Sequence, residues 1–68
     1  MFGVLKTWDD VRSCGHVEVD KQVFFVHAKA FDRISRRPQV GDTLIIDEIE
    51  KSPVGIDVVR CSIEGVSL

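Results

Sequence analysis

Residues 12–31 constrain the chain more than any other stretch, because apolar side chains alternate with strand periodicity on both sides of a short polar break. A tight turn at Asp20-Lys21 sets Val19 opposite Gln22, His16 opposite Phe25 and Cys14 opposite His27. Val17, Val19, Phe24 and Val26 then share one face. Cys14, His16, Glu18, Val23, Phe25 and His27 share the other, a mixture of aromatic and polar groups that a buried surface does not select. That second face is the expected working surface. Asp-Lys is a poorer two-residue turn than Asn-Gly, so a slightly longer loop stays open as an alternative.

The rest of the chain reads as further short strands. Residues 2–8 form the first, although strict alternation would set Lys6 beside Val4, which a bulge or a strand shared between two sheets would resolve, and Gly3 permits either. A polar connection follows at 9–13, a single helical turn at 28–31, and a loop at 32–39 carrying Arg36-Arg37-Pro38. Residues 43–49 make a fourth strand. Pro53 and Gly55 mark a turn, and 56–63 make a fifth strand in which Val59, Cys61 and Ile63 alternate with Arg60 and Ser62. No segment carries a helical period of helix length. A chain of 68 residues makes one small domain, 1–68, whose core supplies only a few kcal/mol beyond chain entropy. An open sheet of this size would leave one face wet and two edges unpaired, and closure removes both problems. The expected fold is all-β, a small five-stranded antiparallel β-barrel.

Composition removes several function classes. With 44% hydrophobic and 29% charged residues the chain is not of the disordered type. No apolar run approaches the roughly 20 residues that span a bilayer, and no basic-plus-apolar leader opens the chain, so a cytoplasmic protein without membrane contact is expected. Cys14 and Cys61 lack zinc or redox spacing and are expected as reduced thiols. Cys14, His16 and His27 converge in the hairpin register, but no fourth ligand stands at metal spacing. A nucleophilic Cys-His pair would need an orienting acid and oxyanion donors, and none can be named. No metal, no cofactor and no enzymatic activity are therefore expected. A net charge of −2 argues against an indiscriminate nucleic-acid binder. Residues 28–40 nevertheless hold Lys29, Arg33, Arg36 and Arg37 against Asp32, a local +3 that can attract phosphate. Asp47, Glu48 and Glu50 read as solvated charge guarding an edge strand.

Arg12-Ser13-Cys14-Gly15-His16-Val17 stands where the cold-shock domain family has its first ribonucleoprotein motif, Lys-Gly-Phe-Gly-Phe-Ile. Phe24-Phe25-Val26-His27 matches the second motif, Val-Phe-Val-His. Gly3-Val4-Leu5-Lys6-Thr7-Trp8 aligns without gaps to the family's opening Gly-x-Val-Lys-Trp-Phe, and Gly41-Asp42 stands where the family has Gly-Asp before its fourth strand. The chain thus resembles a cold-shock domain, of the oligonucleotide/oligosaccharide-binding (OB) fold, over nearly its whole length. It departs from the family at Thr7, in the tryptophan position, at Cys14 and His16, in two phenylalanine positions, and at Ala28, where an aromatic often stands. The resemblance implies a non-catalytic module that binds single-stranded RNA or DNA weakly and with little sequence preference. Phe25 and His27, with Trp8 and His16, would stack bases, and Lys6, Arg12, Lys29, Arg36 and Arg37 would contact phosphates. Trp8 also reads as half-buried packing. The alternative is an accessory domain with a protein partner, which keeps the barrel and has lost most of the nucleic-acid face.

Overall fold

Alternating sequence becomes strand throughout the computed structural model of the chain, which describes residues 1–31 and 37–65. The elements are β1 (Phe2–Asp9), β2 (Cys14–Val19), β3 (Gln22–His27), a 3-10 turn at Ala28–Ala30, β4 (Thr43–Ser52) and β5 (Gly55–Ile63). β2 and β3 pair as the hairpin alternation requires, with Val19 facing Gln22, His16 facing Phe25 and Cys14 facing His27. Its turn has two central residues, both left-handed, with φ of 49° at Asp20 and 68° at Lys21. Mirror-image turns of this kind match the twist of the strands they join, and this settles the loop at its shorter length.

The strands close into a barrel in the order β1-β2-β3-β5-β4, an all-β architecture consistent with an OB-fold-like barrel. Antiparallel pairing holds at four seams, but β3 and β5 run parallel, through Phe25 with Asp57 and Val26 with Val58. The five-stranded barrel is the one expected, and the β3–β5 seam is its single parallel pairing. A closed ring with an odd number of strands cannot alternate direction all the way round, so one seam must be parallel. The seam between β1 and β4 is short, covering Phe2–Val4, and is extended by Leu5, which exchanges hydrogen bonds with Gly41 and Asp42 in the turn before β4.

Three bulges bend strands around so small a core. In β1 the register slips between Leu5 and Thr7, leaving Lys6 as the extra residue. Leu5 therefore points inward, Thr7 outward, and Trp8 back toward the core, which removes the awkward lysine-beside-valine pattern. The bulge lies at Lys6 rather than at Gly3. Gly3 is instead a close-packing position, where a Cβ would come within 2.7 Å of Val17 and Val19 side-chain carbons. In β4 and β5, Asp47 and Val59 are the extra residues, and the two slips cancel. Val58, Cys61 and Ile63 consequently fill the interior while Val59 lies 40% exposed, so Val59 does not share a face with Cys61 and Ile63 despite alternating with them in sequence. The core is completed by Leu5, Val17, Val19, Phe24, Val26, Ala30, Phe31, Leu44 and Ile46, with Leu5, Val17, Leu44 and Cys61 fully enclosed. Among the described residues no helix is long and apolar enough to cross a membrane.

Candidate functional site

The outward side of β1, β2 and β3 carries a row of residues that register brings side by side. Thr7 lies opposite His16, and His16 opposite Phe25. Thr7 Oγ1 is 2.8 Å from His16 Nδ1, which fixes the imidazole on the sheet surface. The His16 and Phe25 rings meet edge-on, with centroids 5.0 Å apart and planes at 60°, a favourable arrangement for two π systems. On its far side the Phe25 ring presses on the start of β5. A Cβ at Gly55 would come within 2.7 Å of Phe25 Cε2, so only glycine lets the ring lie there. Phe25 is thus held between His16 and Gly55 while 41% exposed. The side chain is both presented and braced.

A second row lies one step along the hairpin, where Cys14 pairs with Asp9 on one side and His27 on the other. The backbone N–H of Lys29 donates to His27 Nδ1 at 3.1 Å. His27 therefore caps the 3-10 turn, and its neutral ring carries the proton on Nε2, leaving a hydrogen-bond donor. Between the rows is an open groove of about 330 Å³, lined by Cys14, Gly15, His16, Phe25, Val26, His27, Asp57 and Val58. Gly15 belongs on its floor because a Cβ there would run into the Thr7 carbonyl oxygen. The strands approach closely at that point, and only a residue without a side chain permits it.

His16, Phe25 and His27, expected from alternation, come together on this groove, and Cys14 joins them. The other candidates are dispersed. Trp8 is half-buried, its ring edge-on to Phe31 at 5.7 Å and its Nε1 donating to Asp10 Oδ1 at 2.9 Å, which is the packing role. Lys6 lies 3.6 Å from Glu18 and Arg37 lies 3.8 Å from Asp10, both pairs exposed. Pairs of that kind hold their geometry only weakly against solvent. Arg12 is exposed in the turn between β1 and β2, where Asp9 Oδ1 accepts from the Val11 and Arg12 backbone N–H groups. Lys29 is exposed on the 3-10 turn. Arg36 lies outside the described residues.

Three contributors escaped sequence reasoning. Asp57 and Val58 reach the groove only through the parallel β3–β5 seam, a long-range pairing that no local pattern announces. Thr7 was legible only as a missing tryptophan. The two cysteines are unpaired, Cys14 partly exposed and Cys61 enclosed. Burial, with the Asp47 carboxylate adding a smaller push, drives the Cys61 thiol up to about 12. Among the described residues no three His, Cys, Asp or Glu side chains are grouped as a metal ion would require. Compared with known families and with curated proteins, the chain matches no family model and no curated protein.

Proposed function

We propose that the outward face of β1–β3 binds single-stranded RNA or DNA without catalysing a reaction, as a divergent domain of the cold-shock type. One observation carries the reading. His16, half-buried, and Phe25, exposed, form a braced aromatic pair beside an open groove that also takes His27. Unstacked bases are recognised by π faces and by donors at their edges, and this arrangement offers both. Lys6, Arg12, Lys29 and Arg37 supply charge for phosphates, and the proposed binding is weak because two of them already face carboxylates. The free thiols Cys14 and Cys61 suit a reducing compartment, so the proposed setting is the cytoplasm.

Titration of a fluorescent single-stranded oligonucleotide at low salt tests this directly. Saturable binding is expected, with Phe25→Ala weakening it about fivefold or more, since stacking on an aromatic is worth roughly 1–3 kcal/mol per base. Failure to saturate into the high micromolar range would sink the reading. A second reading, an accessory domain with a protein partner, has its own observation. Phe2, Val4 and Val23 are 62%, 38% and 56% exposed, and the first two line a separate cleft of about 350 Å³ between β1 and the Asp20-Lys21 turn. A defined protein partner retained after nuclease treatment, and lost on Phe2→Ser, would favour it.

A further inference from the structure

We infer that the groove reads one base, that the base is guanine, and that Asp57 selects it. This rests on the single-strand binding proposed for the same face. Asp57 stands beside Phe25 across the parallel seam, lines the groove and is exposed. Among the described residues no hydrogen bond or ion pair engages its carboxylate: Lys6 faces Glu18, Arg37 faces Asp10 and Arg60 faces Glu48. A bare carboxylate beside an aromatic platform repels a polyanion unless the ligand brings hydrogen-bond donors to it.

An ionised carboxylate only accepts, with two oxygens side by side. Among the common bases guanine alone presents two adjacent N–H donors on one edge, at N1 and at the 2-amino group. Thymine and uracil present a single N–H flanked by two carbonyl oxygens that a carboxylate repels. Cytosine and adenine place an amino group beside a ring-nitrogen lone pair, which satisfies one oxygen and opposes the other. His27 lines the same groove, and its Nε2–H is a donor for a base carbonyl or a phosphate oxygen. Phe25, braced by His16 and Gly55, supplies the ring on which the base lies.

The test uses the whole chain and three labelled oligonucleotides: an all-thymine strand, the same strand with one central guanine, and the same strand with inosine there. Inosine keeps the N1–H of guanine and lacks its 2-amino group. The guanine strand is expected to bind roughly tenfold more tightly than the thymine strand, the gain typical of a bidentate base contact, with inosine between them. Asp57→Ala is expected to abolish the preference and to tighten binding of the thymine strand, because a negative charge leaves the path of the phosphates. Asp57 is exposed, and a melting curve verifies that the variant is folded before affinities are compared. Equal binding of guanine and thymine strands, or a guanine preference that survives in Asp57→Ala, overturns the inference and leaves single-strand binding standing. If none of the strands binds, both fall together.

Discussion

Cys14 and Cys61 carry the same thiol in opposite surroundings, and the contrast is measurable at single-residue scale. A water-soluble thiol reagent is expected to modify Cys14 in the native protein and to reach Cys61 only after unfolding, because Cys61 is fully enclosed and its thiol is held protonated. Both sites labelled at equal rates in native buffer would contradict the enclosed position. Stability carries the same signature. The folded value for Cys61, about 12, lies above the 9.0 of an unperturbed thiol, so below pH 9.0 both states keep the proton and this group contributes no slope. As pH rises from 9.0 toward about 12 the unfolded chain alone releases it, and stability falls. A denaturation midpoint followed through that window should decline more steeply in the parent than in Cys61→Ala. At this scale much was legible: the outward positions of His16, Phe25 and His27 follow from alternation alone. Asp57 was not, because nothing near it in the chain says which strand it will meet.

The hairpin of β2 and β3 is the element on which the site is built, and its turn is its weakest point. Asp20 and Lys21 both sit at positive φ, a region that costs a residue with a Cβ roughly 1–2 kcal/mol. Lys21→Gly should stabilise the fold by about 0.5–1 kcal/mol after allowing for the greater freedom of glycine in the unfolded chain. For a domain of this size that raises the melting temperature by roughly 2–8 °C. An unchanged or lowered melting temperature would show that the Lys21 side chain contributes something the turn geometry does not require. The register of this hairpin was readable because a one-residue slip would turn Val17, Val19, Phe24 and Val26 outward. The facing of Val58 and Val59 was not readable, because the bulge at Val59 depends on how β5 meets β4 and leaves no mark in the alternation of β5 itself.

On the scale of the whole molecule the protein is a small acidic barrel with its positive charge unevenly spread. Any oligonucleotide affinity should fall with salt along a shallow slope. Two to four phosphate contacts on a single strand correspond to a slope of log affinity against log salt of roughly −1.4 to −2.8. Titration at several salt concentrations measures it. A slope as steep as that of a strongly basic DNA-binding protein would mean that many more cations reach the ligand than Lys6, Arg12, Lys29 and Arg37, and would move the binding face elsewhere.

Strand identities, the position of the hairpin turn, the inner and outer faces of the hairpin and the need for a closed barrel were determined by the sequence itself. Each follows from local periodicity or from the small amount of core that 68 residues can build. Tertiary structure alone decided the parallel β3–β5 seam, the site of the β1 bulge, the bulges at Asp47 and Val59, and the placing of Asp57 and Gly55 against Phe25. Those features depend on how strands distant in sequence meet when a five-membered ring closes. Closure is a condition on the whole chain, satisfied by no segment separately.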